Sequence, residues 1–582
     1  MTLGSWGAGL LRRLRGGRAP AAADAPPADE TPFPWESVYP EGIHWRVHIR
    51  PQPLWSILDE SVQRYPERPC IDFLGRIFTY AEIGALTQRA AVGLARLGIK
   101  RGSRVGLLMP NCPYYVVCYF AALKVGATVV NYNPLYSVTQ IVQQMRDSGT
   151  ELMITTDGQA FYGKVAKGFG ESLLEKVVVC SLRKALPFTA GVKYSFLNIR
   201  SMSIAPDDGR HFTFEQLTET DGDVSTVEVD PRQDIAVLQY TGGATGLTKA
   251  AMLTHANLFC NAVQTEMWSI GTEYGKERIL AVLPFSHAFG MSAVMNVGIV
   301  LGAELIVLPR FKVEDALATI HRTRPTIFIG VPSMFSAIAA YPDLNRFDLS
   351  SLRLCIGGGA PLPARVQKVI ESIAPCKLVE GYGLTEAGPI VTANPFKGEN
   401  RLGSVGLPLP GTVIEILDVK DRKTPVPRGG RGEICVTGPQ VIPGYLARPE
   451  ENEVTLAGGR LHTGDIGYLD AQGYLYVVDR LKKLILTGGF NVYPGVVEEA
   501  IRRHAAVRDV QVVAAPHDIL GEVVKAIITL QPGADAGAED IEKFLADKLA
   551  TFEIPKIFEF ADDRTAQGSG QAMSGLAASR SA

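Results

Sequence analysis

Two hydrophobic periods alternate along this chain. Apolar residues recur at helical spacing from Leu54 to Tyr65 and again from Tyr80 to Leu97. The second stretch is opened by Thr79, has Glu82 three residues further on and is closed by Gly98, which predicts a capped amphipathic helix. Arg104 to Met109 then reads as a short buried strand, Tyr114 to Gly126 as a buried helix and Ala127 to Tyr132 as another strand. Strand, helix and strand in that order imply a crossover, so the expected sheet is largely parallel with helices on both faces. The rhythm returns with strands at Leu152 to Thr155, Lys176 to Cys180, Ile279 to Leu283, Glu304 to Leu308, Ile327 to Val331 and Leu352 to Gly357. Met291 to Pro309 is apolar enough to imitate a membrane span. Asn296, Gly298, Gly302 and Glu304 interrupt it, so a buried helix followed by a strand is predicted, and no transmembrane segment.

Beyond Arg401 the pattern changes to short strands between Gly/Pro turns, at Val413 to Leu417, Glu433 to Val436 and Tyr474 to Val478, as in a small barrel-like subdomain. A last region reads as a small α+β unit: a strand at Leu484 to Leu486, a glycine turn, a helix over Asn491 to His504 entered by Pro494, strands at Asp509 to Ala514 and Val524 to Leu530, and a helix over Asp540 to Leu549. The expected hinge lies near Arg480 to Lys483. The predicted organisation is a basic, Ala/Pro-rich tail over 1–32, a large α/β domain over 33–480, a small α+β domain over 481–562 and a low-complexity tail over 563–582.

A net charge of -2 gives no reason to expect a nucleic-acid surface, so ligands are expected in a site. The eight cysteines are scattered through apolar runs without paired metal-ligand spacing and read as reduced, buried thiols of a cytoplasmic protein. Two stretches could touch the inner face of a membrane. One is the start, where Arg12, Arg13, Arg15 and Arg18 accompany Trp6, Leu10, Leu11 and Leu14; an unpacked tail is the other reading. The second is Leu182 to Arg210, where cations interleave with Phe188, Tyr194, Phe196 and Leu197; an excursion packed on the domain surface is the alternative.

The densest chemical signal is Tyr240-Thr-Gly-Gly-Ala-Thr-Gly-Leu-Thr-Lys249, directly after the apolar run Ile235 to Leu238. Glycine lets backbone N–H groups face an anion without a Cβ in the way, so a strand emptying into glycines, hydroxyls and one lysine suits a polyphosphate. The spacing excludes Walker A, because Leu247 and Thr248 separate Gly246 from Lys249. A flexible Gly/Thr surface loop would look the same on this stretch alone.

With six further motifs in order, the chain resembles the adenylate-forming family of acyl-CoA synthetases, luciferases and adenylation domains, from about Phe33 to Phe560. The motifs are Leu283-Pro-Phe-Ser-His-Ala-Phe-Gly290, Gly357-Gly-Gly-Ala-Pro-Leu362, Glu380-Gly-Tyr-Gly-Leu-Thr-Glu386, Gly429-Gly-Arg-Gly-Glu433, Leu461-His-Thr-Gly-Asp465 and Asp479-Arg480. The details look most like bacterial long-chain fatty acid CoA ligases. The resemblance implies an acyl adenylate made from a carboxylic acid and ATP, then transfer of the acyl group to coenzyme A. In such a site Thr241, Thr245, Lys249 and the amides of Gly242, Gly243 and Gly246 serve the β- and γ-phosphates. Glu386 holds Mg²⁺, with Thr385 beside the α-phosphate. Tyr382 stacks on adenine, Gly358, Gly359 and Ala360 lie along its edge, and Asp465 accepts the ribose hydroxyls with Arg480 nearby. The acid enters past His287, Phe289 and Met291, with Val331, Gly357 and Gly383 completing its site. Lys482 is the implied hinge residue, and Gly488 and Gly489 line the passage for the CoA arm. The partners implied are the acid, ATP and CoA, and a homodimer is the usual assembly.

Three positions depart from the family pattern. Ser569 stands where a C-terminal lysine usually bridges the substrate carboxylate and the α-phosphate, Ala244 replaces a threonine, and Ala250 a glycine. Loss of one preorganised donor costs about 10²- to 10³-fold in rate, which puts the adenylation half-reaction in question and leaves the thioester step untouched. Two expectations follow: a CoA ligase for a medium- or long-chain aliphatic acid, monocarboxylic or dicarboxylic, or a homologue that binds nucleotide and acyl-CoA and carries out at most the second half-reaction.

Overall fold

The computed structural model describes residues 32–189, 191, 203, 206–219, 222, 227–242, 248–480, 485–492 and 494–561, with backbone alone at 242, 479, 480, 491 and 495. Both predicted tails (apart from residue 32), the loop positions 243–247, Lys193 to Arg200, Lys482 and Ser569 lie outside them. The chain divides into two compact units, Met1–Pro134 with Gln144–Thr241 and Lys249–Leu481, and Leu135–Gln143 with Gly242–Thr248 and Lys482–Ala582.

The first unit contains two large sheets. One runs in spatial order His211–Thr213, Lys176–Cys180, Leu152–Thr156, Arg104–Leu108, Thr128–Asn131, Ile235–Gly242 and Thr248–Thr254, parallel through its first six strands. The other has nine strands; its centre, from Lys377–Gly383 through Leu354–Gly358, Ile327–Gly330, Arg278–Ala281 and Glu304–Val307 to Pro69–Phe73, is parallel. The continuous apolar runs of the sequence are these strands: Thr128–Asn131, Leu152–Thr156, Glu304–Val307 and Ile327–Gly330 are buried at every position, as a sheet covered on both faces requires. The helix Tyr80–Arg96 begins as predicted, with the Glu82 N–H donating to Thr79 Oγ1 and the Thr79 N–H to Glu82 Oε2. The apolar stretch after Gly290 is a π-helical segment, Gly290–Asn296, running into the helix Val297–Val300 and then a strand; no helix among the described residues is long and apolar enough to cross a membrane. The region beyond Arg401 is a four-stranded antiparallel sheet, Val413–Leu417, Gly432–Thr437, Leu461–Leu469 and Leu475–Arg480.

One turn of this unit breaks the usual chemistry. The hairpin between Pro69–Phe73 and Arg76–Thr79 turns at Leu74 and Gly75, with φ of +53° and +96°. Positions with φ > 0 in a two-residue hairpin favour Asn, Asp or Gly, and leucine is costly there.

The second unit holds a smaller sheet in which Phe490–Val492, Ile485–Thr487, Gly521–Leu530 and Val507–His517 follow one another and Ile557–Phe560 pairs parallel with Gly521–Leu530. The first helix beyond residue 485 is Pro494–Arg502, not Asn491 onward: Asn491 belongs to the short strand Phe490–Val492, and Pro494 fixes the helix start at its first position. The α/β architecture with parallel sheets and a smaller C-terminal unit is the one expected.

Candidate active site

The site residues of the first unit gather where parallel strands end, the position at which open α/β sheets bind ligands. Ile235–Gly242 delivers Thr241, and Lys377–Gly383 delivers Tyr382 before a short helical turn, Thr385–Ala387, that carries Glu386. Glu386 Oε1 accepts from Tyr445 Oη at 2.8 Å and from Thr241 Oγ1 at 3.5 Å, while its carbonyl accepts the Ile442 N–H at 3.0 Å. Lys249 lies on Thr248–Thr254; its ammonium is 3.0 Å from Glu451 Oε1 and 4.9 Å from the centre of the Tyr445 ring. Tyr445 therefore touches both the acidic turn and the lysine. Neither Tyr445 nor Glu451 stands in a motif that the sequence singled out.

Gly383 explains part of the Tyr-Gly-Leu-Thr-Glu pattern. A Cβ there would lie 1.9 Å from the Pro389 carbonyl oxygen, because the chain doubles back on itself between Tyr382 and Ile390. Gly383→Ala is expected to destabilise the protein by about 2–3 kcal/mol, read as a lowered urea midpoint.

Tyr382 Oη donates to Asp465 Oδ2 at 2.7 Å, and Asp465 is only 2% exposed. A buried carboxylate needs its backbone fixed, and the neighbouring strand does this. Glu433, fully buried, accepts two bonds from the Arg422 guanidinium at 2.8 and 2.9 Å and the Gly464 N–H at 3.1 Å, and sits 3.0 Å from His462 Nδ1. Thr463 Oγ1 accepts the Asp465 N–H at 3.1 Å and donates to the Ile434 carbonyl. Asp465 faces Arg480 across the ladder. Glu433, Cys435 and His462 also bring O, S and N atoms within 4.8 Å of one another, a grouping the scattered cysteines did not suggest. The bidentate arginine already balances Glu433, so the cluster reads as a brace for the Gly464–Asp465 turn.

A second wall is apolar. The ring of Phe289 packs against Gly358, where a Cβ would come within 2.9 Å, and Val331 approaches Gly359, which turns with φ +85° before Ala360. Gly357 lies in register between Gly330 and Glu380. His287 has accessible surface, yet protein crowds it, and this desolvation holds its imidazole below the ordinary histidine value. Its Nδ1 accepts the Phe289 N–H at 3.3 Å, and its carbonyl accepts from Met291. Met291 is buried with its sulfur 3.3 Å from Asn131 Nδ2. The Pro-Phe-Ser-His turn is pinned by buried polar groups that the sequence did not flag: Asn111 bonds both Leu283 O and Phe285 N, Tyr115 Oη donates to Phe285 O, and Gln239 Nε2 to Ser286 O. Gln239 stands two residues before Thr241, so one network ties the phosphate strand to the His287 turn.

Glu380 accepts the Leu362 N–H at 3.1 Å, and burial pushes its pKa up to about 7 from a usual 4.5. Below about 4.5 both folded and unfolded chains carry the proton. Between about 4.5 and about 7 the unfolded chain gives it up while the fold retains it, so this group lowers stability as pH rises through that window. Glu380→Gln is expected to remove that dependence and to raise stability at pH 8 by about 1–3 kcal/mol, measured by urea unfolding across pH.

In the second unit Gly488 and Gly489, with φ of +56° and +84°, are the two turn residues of the hairpin between Ile485–Thr487 and Phe490–Val492. Gly242 ends its strand; Gly243, Thr245, Gly246 and Lys482 lie outside the described residues.

A threonine and an acidic turn at the ends of parallel strands, with Lys249 on the edge strand beside them and a tyrosine–aspartate pair reaching the antiparallel sheet, give an α/β fold with a polar, charged site. Within that class the chain belongs to the adenylate-forming acyl-CoA synthetase family: the AMP-binding enzyme family matches residues 58–446, and the AMP-binding enzyme C-terminal domain matches residues 496–570. It is similar to a long-chain-fatty-acid–CoA ligase of Bacillus subtilis (strain 168), 37% identical over 92% of this chain and 96% of the relative. It is also similar to 4-coumarate–CoA ligase CCL1 of Humulus lupulus, 32% identical over 87% of this chain and 90% of the relative. Among solved structures it resembles a double mutant of o-succinylbenzoate CoA synthetase from Bacillus subtilis bound with a CoA product analogue, with a TM-score of 0.70 and 26% identity, covering 88% of this chain and 95% of that one.

Proposed function

We propose that this chain is an ATP-dependent CoA ligase for a medium- or long-chain aliphatic carboxylic acid. The observation that carries the proposal is the meeting of Glu386, Thr241 and Tyr445 at the end of the phosphate strand. In the first half-reaction a carboxylate oxygen of the acid attacks the α-phosphorus of ATP, the bond to the β-phosphate oxygen breaks and pyrophosphate leaves. In the second, the CoA thiol gives up its proton, its sulfur attacks the acyl carbon and AMP departs. Each step concentrates negative charge, so donors and cations must already be in place.

Lys249 exchanges Glu451 for the outer phosphates, and Thr241, Thr245 and the loop amides of Gly242, Gly243 and Gly246 complete that cradle. Thr385 sits beside the α-phosphate. Glu386 with the Thr241 hydroxyl is a hard-oxygen donor set of the kind that holds Mg²⁺ together with phosphate oxygens, and the ion would neutralise charge there. Tyr382 offers its ring to adenine along Gly358, Gly359 and Ala360, and Asp465, held by the Glu433 brace, accepts the ribose hydroxyls beside Arg480. Phe289, Met291, Val331, Gly357 and Gly383 shape the acid site with His287 at its mouth. Lys482, Gly488 and Gly489 serve the second step. Domain limits at 33–480 and 481–562 belong to the same reading.

The similarity to long-chain fatty acid ligases favours aliphatic acids, and the similarity to a 4-coumarate ligase makes aryl acids the competing class. A thioester assay with dodecanoate, oleate, dodecanedioate and 4-coumarate separates them. Dodecanoate or oleate is expected to give the highest kcat/KM; turnover of 4-coumarate alone would overturn the assignment. Ser569 and Ala244 favour a second reading, a homologue that adenylates poorly and mainly completes the thioester step.

A further inference from the structure

We propose that the Leu74–Ile77 hairpin tip and Phe188 form a contact surface for an anionic lipid bilayer. The starting point is a residue in the wrong place for folding. Leu74 occupies a left-handed turn position where Asn or Gly would cost the backbone nothing, and its side chain gains little from the fold, being 41% exposed. Ile77, three residues on, is 54% exposed, and Phe188 is 87% exposed. Single exposed apolar residues are ordinary, but these stand on adjoining segments, Leu74 at the turn, Ile77 on the strand that follows it and Phe188 just beyond Pro187. A Cβ on Gly75 would lie 3.8 Å from Pro187 Cγ, and the Arg76 guanidinium donates to the Lys184 carbonyl.

The charge around the tip selects the occupant. Arg76, Arg183 and Lys184 are exposed beside it. Of the nearby acids, Glu215 is 3.0 Å from the Lys184 ammonium, and Asp72 is buried and accepts the Gly75 N–H. Exposed apolar side chains beside exposed cations match the interface of a bilayer with negative headgroups, where the apolar groups enter the acyl boundary and the cations meet phosphate. A ligase for a water-insoluble acid would collect its substrate at that interface.

The test is co-sedimentation of the full-length protein with phosphatidylcholine vesicles, with and without phosphatidylglycerol, alongside L74N/I77T/F188S and R76Q/R183Q/K184Q. Wild-type protein is expected to bind the anionic vesicles, the apolar variant at least tenfold more weakly, and the charge variant to lose most of its preference for phosphatidylglycerol. Because Arg12 to Arg18 could also attract vesicles, the reading is the difference between variant and wild type. L74N alone should melt no lower than wild type, which separates lost binding from lost folding. Equal vesicle binding by wild type and the apolar variant, or no binding by wild type, overturns the proposal. So does a variant that changes oligomeric state by light scattering while keeping its vesicle affinity, which would assign the patch to self-association.

Discussion

Glu386→Gln is expected to lower acid-dependent ATP/pyrophosphate exchange by about 10²- to 10³-fold while leaving the melting temperature within a few degrees of wild type. Glutamine keeps the size of the side chain and an oxygen that can accept from Tyr445 and Thr241, so the local contacts survive. What disappears is the negative charge beside the phosphate strand. Tyr445→Phe is the matching control, because it deletes a hydroxyl at 2.8 Å and keeps the charge; a loss of no more than about tenfold is expected. If both variants lose exchange equally and melt early, Glu386 is a structural residue of the turn.

Ser569→Lys is expected to raise exchange by about 10²- to 10³-fold, the effect of restoring one preorganised donor to a charged transition state. Position 569 falls within the region matched by the AMP-binding enzyme C-terminal domain, residues 496–570. Conversion of synthetic acyl adenylate to acyl-CoA should barely change in the same variant, since the thioester step does not use that lysine. An unchanged exchange rate would refute the placement of Ser569 at the lysine position.

The parallel sheets were legible in the sequence because a strand covered on both faces is apolar at every position, and such runs stand out between glycines. The Tyr80–Arg96 helix was legible for a local reason too, the Thr79–Glu82 box that closes within one turn. Contacts assembled from distant segments were not. Tyr445 lies 59 residues from the Glu386 it touches, and neither it nor Glu451 has a local signature. Glu433, Arg422 and His462 come together only when two antiparallel strands and a loop pair, so Cys435 and His462 looked unrelated. Asn491 falls in a strand, not in the expected helix, because Pro494 sets the helix start and the preceding residues return to the sheet. The glycines of the Gly357 and Gly381 motifs were recognised by resemblance; the close approach of the Pro389 carbonyl and the Phe289 ring supplies the physical reason for two of them.

ATP/pyrophosphate exchange by the full-length wild-type protein, with and without dodecanoate, tests the central proposal most directly. Exchange that requires the acid and is followed, on addition of CoA, by equal yields of AMP and dodecanoyl-CoA is the predicted result. Absence of exchange with every acid, together with failure to convert supplied acyl adenylate to thioester, would contradict it and leave a binding protein on an enzyme fold.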